Sequence, residues 1–346
     1  MLRHLISAVL LVLMSSCGND LITESSSAGA GGVSGVPDLS IAIVDLREVY
    51  FDTFDGGSIP LSQASNDDIL GLLDRIPPID APVYVDPEED DWLDPDDVVL
   101  GYIDADGQAY AYPHKILNFH EIVNDTLAGV PVLVSYCPLC NSGVVFDRRV
   151  DDLRHDGELT FGNSSALYDN DWVMVDRQTS TYWWQVTGRG IVGALAGAEL
   201  SVLPSVTTTW EQWRLDEPGT RVLSRDLGFR RDYERNPFVG YAERVNAGNT
   251  PFPVNDGALN DGRLAPATQV IAIEVGNDAA AVPAAELVDE LLLTVGGIEH
   301  VIEPDGSGGA RAYAITGDGS RIPAASRSTF WFAYVASFPE ARVVLP

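Results

Sequence analysis

Two stretches of this chain resemble each other closely enough to limit what it can fold into. LGYIDADGQAYAYPHKIL, residues 100–117, is similar to VIAIEVGNDAAAVPAAEL, residues 270–287. Ile103/Ile273, Ala109/Ala279, Ala111/Ala281, Pro113/Pro283 and Leu117/Leu287 match at one constant offset. Further on, TSTYWWQ (179–185) resembles RSTFWFA (327–333). Similarity in the same order across separated segments is the mark of a duplicated unit. Alternating β-branched and aromatic residues make that unit strand-rich. The expected fold class is α+β, mostly β, with two pseudo-repeated β-rich lobes and short helices. The first lobe spans 38–225 and a degenerate second lobe spans 269–346. A Gly/Asn/Pro-rich segment, 226–268, connects them.

Finer features fill in the first lobe. Ser65 is placed to cap a short helix that stops by Pro77-Pro78. VVLGYIDADGQAYAYP reads as a hairpin turning at Asp106-Gly107. HKILNFHEIVND reads as a helix with Ile116, Phe119 and Val123 on one face. VPVLVSY and SGVVFDRRV read as strands on either side of Cys137 and Cys140.

The N-terminus points to export. Arg3 precedes an apolar run, Leu5–Met14, that is too short for a membrane span. Met14-Ser15-Ser16-Cys17 then resembles a bacterial lipobox, so residues 1–16 are expected to be a lipoprotein signal peptide and Cys17 the lipidated residue. The Ser/Gly/Ala-rich segment 17–37 reads as a flexible tether. The expected location is the bacterial cell envelope, lipid-anchored and, with Gly18 after the cysteine, at the outer membrane. The membrane is then a partner only through that anchor. With 51 acidic against 21 basic residues, the chain lacks the cations that neutralise phosphates, which argues against nucleic acid. The acidic run Asp86–Asp97 lacks the ligand spacing of a calcium loop and reads as a solvated one.

Cys137-Pro138-Leu139-Cys140 carries most of the functional information. Three readings fit it. In the first, the two cysteines are catalytic and form a redox centre for thiol–disulfide exchange or electron transfer. A thioredoxin-like pair starts a helix, whereas Asn141-Ser142-Gly143-Val144-Val145-Phe146 reads as turn and strand. Thiol activation would therefore need a neighbour such as His114, His120 or Arg148. In the second, Cys137 and Cys140 join His114 or His120 to bind Cu(I) or Zn. In the third, they form a structural disulfide in a noncatalytic surface-binding module. So short a loop contributes only about 1.9 kcal/mol in the chain-entropy model. The second copy has Ala284 and Glu290 where the first has His114 and His120, and it has no cysteine, so any site belongs to the first copy. An envelope redox or metal-trafficking protein would be the partner.

These motifs also carry a family resemblance. AYAYPHKILNFHEIVNDTLAGVPVLVSYCPLCNSGVVFDRRV, LTFGNSSALYDNDWVMVDRQTSTYWWQVTGRGIVGALAG and LPSVTTTWEQWR resemble the bacterial and archaeal domain-of-unknown-function 3179 family, most strongly from Trp92 to Leu223. The resemblance fixes no activity. It implies selenocysteine at one CxxC position in some relatives, which favours redox or soft-metal chemistry over a passive staple. It also marks His120, Asn163, Tyr168 and Asp176 as candidate pocket residues, with Asn163 and Tyr168 as cofactor-binding candidates. Asp169, Asn170 and Asp176 read as turn and strand-packing residues.

Overall fold

A computed structural model describes residues 35–89 and 91–346. Cys17 and the leader lie outside the described residues. Among those described, no helix is long and apolar enough to cross a membrane.

The chain enters through β1 (Val49–Asp52), β2 (Ser58–Pro60), α1 (Asn66–Leu72) and β3 (Tyr84–Val85). Ser65 caps α1 in a reciprocal capping box with Asp68. Next comes the hairpin β4 (Val98–Ile103)/β5 (Ala109–Pro113), closed at Asp106-Gly107 as expected. An insertion follows: α2 (His114–His120), β6 (Ile122–Leu127), β7 (Val130–Cys137), β8 (Ser142–Asp147), β9 (Phe161–Tyr168), β10 (Asp171–Asp176), β11 (Tyr182–Trp184), β12 (Arg189–Val192) and β13 (Val202–Leu203). Then β14 (Ser205–Thr209) pairs with β4, α3 (Trp210–Asp216) crosses over, and β15 (Arg221–Leu223) runs parallel to β5.

After α4 (Tyr241–Asn246) and α5 (Asp256–Leu259), the same frame recurs. The hairpin β16 (Gln269–Val275)/β17 (Asp278–Pro283) is followed by a 3-10 turn, Ala284–Glu286, and a four-stranded meander. That meander is β18 (Leu291–Val295), β19 (Ile298–Pro304), β20 (Ala310–Ile315) and β21 (Arg321–Pro323). β22 (Arg327–Phe330) then pairs antiparallel with β16, α6 (Trp331–Ser337) crosses over, and β23 (Arg342–Val343) runs parallel to β17. The fold is mostly β with α+β character, and the duplication is a duplication of topology. All described residues belong to one compact unit.

The structure corrects three details of the sequence reading. The partner of RSTFWFA is not TSTYWWQ, which lies in β11 on another sheet. It is TTTWEQW: Thr208 falls on Thr329, Trp210 on Trp331, Arg221 on Arg342 and Val222 on Val343, each pair at the same place in its frame. The hairpin loop of the second copy is one residue shorter. Tyr102 therefore corresponds to Ile273, while Ile103, which points outward, corresponds to Glu274. A one-residue slip in a strand exchanges its two faces. Finally, the helix ends at His120, and Val123 belongs to β6, where its β-branched side chain pairs across to Val134.

The sheet that carries the cysteines runs β23-β17-β16-β22-β8-β7-β6. It joins the second frame to the insertion of the first through the pair Ser328/Gly143. Cys137 and Cys140 lie at that seam, in a core with Ile122, Phe161, Trp172 and Phe330.

Candidate functional site

β7 delivers Cys137 at its end, paired with Ser142 of β8. Pro138 and Leu139 close the turn, with Cys140 N–H donating to Cys137 O (3.2 Å). Asn141 returns the chain to β8 in a left-handed conformation (φ 44°). The arrangement is strand–turn–strand, as the Val144-Val145-Phe146 run predicts. Both cysteines are free thiols and fully buried.

A second hairpin meets this turn. β9 and β10 are joined by Asp169-Asn170, both with positive φ (51° and 57°), as a two-residue type I′ turn requires. That turn places Asp171 at the start of β10, facing the thiols. The two sulfurs and a carboxylate oxygen of Asp171 all lie within 4.8 Å of one another. Trp172 N–H and Val186 N–H each donate to the carboxylate (2.9 Å), and Cys140 Sγ–H donates to Asn170 O (3.5 Å).

Burial sets the protonation states here. It lifts Asp171 to about 6 and Cys137 to about 11, and it holds Cys140 well above an ordinary thiol. Neighbouring carboxylates push the thiols the same way. At neutral pH the sulfurs are therefore S–H, not thiolate.

The expected activators lie elsewhere. Arg148 spends its guanidinium on Val132 O, Leu159 O and Asp125 O. His120 Nδ1–H donates to Pro77 O (2.8 Å), so Nε2 accepts from the Tyr233 hydroxyl (2.8 Å) and no lone pair remains for a metal. His114 stacks on Tyr136 with ring centroids 4.1 Å apart, and burial lowers it to about 3. It lines a cleft of about 550 Å3 whose lining includes neither cysteine. Among the described residues, the metal-competent group holds Cys137, Cys140 and Asp171 and neither histidine.

Cys137 also lines a cavity of about 310 Å3 beneath the turn. Its lining includes the polar residues Asp52, Glu121, Asn163 and Ser165 beside Cys137, and the larger side chains of Leu167, Trp172, Phe238 and Phe252. Glu121 is the left-handed cap of α2 (φ 58°). Asn163 Nδ2 donates to Glu121 Oε2 (2.6 Å), and Asn163 Oδ1 accepts from Ser165 N–H (2.7 Å). Burial lifts Glu121 to about 8.

The structure therefore brings Cys137, Cys140 and Asn163 to one place. Tyr168 sits apart, edge-on to Trp184 (4.8 Å) in a neighbouring core. Asp176 closes its own loop, accepting from Thr179, Thr181 and Trp183 Nε1, and Asp169 accepts from Asn255 N–H. Asp171 and Glu121 go unmarked in the sequence reading. The signal that finds Asp171 is the Asp-Asn turn just before it. Nothing in the spacing singles out Glu121.

The family model for DUF3179, proteins of unknown function, matches residues 73–322. The chain belongs to the DUF3179 family. The match takes in the whole first frame, the thiol–carboxylate cluster, and the hairpin and meander of the second copy into β21, and ends before β22, α6 and β23. No curated protein and no solved structure matches the chain. What this DUF3179 protein does must therefore be reasoned from its own site.

Proposed function

We propose that Cys137, Cys140 and Asp171 form a binding site for a soft or borderline cation, Zn2+ or Cu(I). The observation that carries this reading is the convergence of two buried thiols and a buried carboxylate. The charged neighbours that weigh most on the thiols are the carboxylates of Asp171 and Glu121. Buried anions need a countercharge, and protons or a metal can supply it. A metal ion releases the thiol protons and turns three costly groups into ligands. The mixed S,S,O set suits Zn2+, while Cu(I) would favour the two sulfurs alone. Bound there, the ion would supply Lewis acidity next to the cavity that Cys137 lines. The role of this chain's residues is to hold the ligands: the Asp169-Asn170 turn aims Asp171, and Trp172 and Val186 N–H groups orient its carboxylate.

Elemental analysis tests this on protein purified anaerobically under reduction, beside a Cys137→Ser/Cys140→Ser variant and Asp171→Asn. The expected result is about one Zn or Cu per chain, absent from the double variant and weakened in Asp171→Asn. No metal in any protein after Zn2+ and Cu(I) are offered would overturn the reading.

One observation favours a dithiol redox centre as the second reading: Cys137 lines the cavity and Cys140 does not. Cys137 would attack a small disulfide while Asp171 takes its proton, releasing one thiol. Cys140 would then displace Cys137's partner sulfur, releasing a second thiol and leaving the Cys137–Cys140 disulfide. A measured reduction potential separates a labile pair from a structural staple. We also infer that the chain is exported and anchored by lipid on Cys17, with an envelope redox or metal-trafficking protein as its partner. Detergent partitioning of wild type and Cys17→Ala tests the anchor.

A further inference from the structure

Cys137, Cys140 and Asp171 have no exposed surface, so an ion can enter or leave only if something moves. Most of what surrounds them is locked in sheets: β7 pairs with β8, β9 with β10, and β22 with β16. One covering stretch is not. The segment between the frames holds α4 and α5 and, among the described residues, no strand. Its Phe238, Tyr241, Ala242 and Val245 pack against the core that contains both cysteines. Three hydrogen bonds fasten it to the turn that aims Asp171. Asn170 Nδ2 donates to the Tyr241 hydroxyl (2.8 Å), Phe252 N–H donates to Asn170 Oδ1 (3.2 Å), and Asn255 N–H donates to Asp169 Oδ1 (2.7 Å). The carbonyl of the same Asn170 accepts from the Cys140 thiol, so the fastening and the cluster share one buried residue. The stretch is anchored on either side. Before it, the Tyr233 hydroxyl donates to His120. After it, Asp261 accepts from Trp331 Nε1 (3.2 Å), and Arg263 donates to Ala341 O and Pro339 O. One further bond, from Ala267 N–H to Asn246 Oδ1 (2.8 Å), tethers the end of α4. Gly240 and Gly248 bracket α4 at positive φ (68° and 76°), a conformation that glycine takes up and leaves at little cost. Space lies beside the stretch too, because its residues line both the cavity at Cys137 and the cleft at His114.

We propose that residues 238–255 form a strap latched on the Asp169-Asn170 turn, and that its opening is the route by which a cation reaches and leaves Cys137, Cys140 and Asp171. Opening of this kind regulates the metal site and rests on the metal reading for what passes through, while the movement itself needs no metal. It is the cheapest route on energetic grounds. Lifting the strap breaks the hydrogen bonds and apolar contacts of one short stretch, whereas parting β7 from β8 or β9 from β10 breaks whole ladders. Access to the sulfurs then follows the opening equilibrium of the strap. A weaker latch speeds entry and exit alike, and it leaves affinity nearly unchanged as long as the closed form dominates. A residue that only shaped the ligands would change the affinity instead.

Alkylation by N-ethylmaleimide tests this on the metal-free, reduced full-length chain, read at Cys137 and Cys140 by peptide mass spectrometry. Tyr241→Phe removes the latch hydroxyl and keeps the ring. Asp169→Gly tolerates the positive φ of the turn and removes the acceptor for Asn255 N–H. Gly101→Ala, which crowds Trp213 in the first frame, is the control for a general loss of stability. Each variant is confirmed folded by thermal melting. Both latch variants should be alkylated about fivefold to tenfold faster than wild type, the size of one net hydrogen bond. Their rates should depend only weakly on urea below the unfolding transition, as a local opening requires. Gly101→Ala should match wild type. Where zinc binds, its uptake and its release to a chelator should both accelerate by the same factor in the latch variants. Equal alkylation rates in wild type and both latch variants would overturn the strap, whether or not metal binds. So would acceleration by Gly101→Ala as large as theirs, which marks global unfolding as the route. Faster alkylation of the latch variants in a protein that binds no metal keeps the strap and ends the metal reading alone.

Discussion

The two frames of this protein share a topology and differ in what they carry. In each, a hairpin is flanked by an antiparallel strand, a crossover helix that begins with tryptophan, and a parallel strand. Between β5 and β14 the first frame inserts the strands that build the thiol–carboxylate cluster. Between β17 and β22 the second inserts a plain meander. The frame is thus separable from the site, and chemistry entered through an insertion at one equivalent point. The second frame still serves the site. Phe330 N–H (2.8 Å) and Thr329 Oγ1 (3.2 Å) both donate to Cys140 O, and Gln269 accepts from and donates to Asn141. One copy holds the cysteines, and the other fixes the backbone of the turn between them.

Frame and site should break in opposite ways. Trp213 of α3 and Trp331 of α6 are fully buried. Truncating either to alanine should cost about 3–5 kcal/mol in urea denaturation, with metal content per folded chain unchanged. A folded Trp331→Ala protein that has lost its metal would show that frame and site are not separable.

Glu121→Gln should do the reverse. The Glu121 carboxyl is raised from its ordinary value to about 8 in the folded chain, so the folded state binds more protons than the unfolded state between those two values. Wild-type stability then falls as pH rises from about 4.5 through 8. Glutamine keeps the acceptor for Asn163 without the charge, so in metal-free protein the variant should gain on wild type as pH rises. Each pKa unit is about 1.4 kcal/mol, which gives an advantage of about 2–4 kcal/mol by pH 8. Parallel denaturation curves at pH 5 and pH 8 would show instead that Glu121 is not held as a buried acid.

A smaller effect tests the frame's internal packing. Gly101 lies under the Trp213 indole, and a Cβ there would overlap the ring. The second copy puts Ala272 and Tyr334 at the corresponding positions. Gly101→Ala should therefore cost about 1–3 kcal/mol, and Gly101→Ala combined with Trp213→Tyr should recover part of it. Failure of the pair to recover would mean that the two frames pack their helices differently.

Local chemistry explains which features the sequence disclosed. Ser65 with Asp68, Asp106-Gly107, and the β-branched run after Cys140 each decide their structure within a few residues, so each is readable. The duplication is readable too, but its second segment is obscured. Trp210, Pro218, Arg221 and Val222 repeat as Trp331, Pro339, Arg342 and Val343, while the nearby TSTYWW offers a closer but unrelated string. The site itself is only half legible. Two cysteines stand out because the chain has three, whereas Asp171 and Glu121 are two of its 51 acidic residues. What distinguishes them is burial and the backbone that aims them, and both come from β9, β10 and α2 meeting β7 in space. The histidines mislead for the same reason. Their spacing to the cysteines is suggestive, but in the fold Pro77 and Tyr233 take both nitrogens of His120, and His114 packs on Tyr136 outside the thiol–carboxylate group.

The smallest effect is the most direct test of cooperation between the copies. Thr329→Val keeps the shape and β-branching of the residue while removing its hydrogen bond to Cys140 O. Phe330 N–H still satisfies that carbonyl, so no buried acceptor is orphaned and stability should drop by only about 1 kcal/mol. Metal affinity should respond differently. A ligand's supporting hydrogen bonds orient it, and losing one typically weakens binding by about tenfold or more. A competition titration with a zinc chelator on wild type and Thr329→Val reads that directly. Weakened zinc with nearly unchanged stability means the second frame tunes the site. Unchanged zinc means its contact with the turn is packing alone, and the division of labour between the copies is complete.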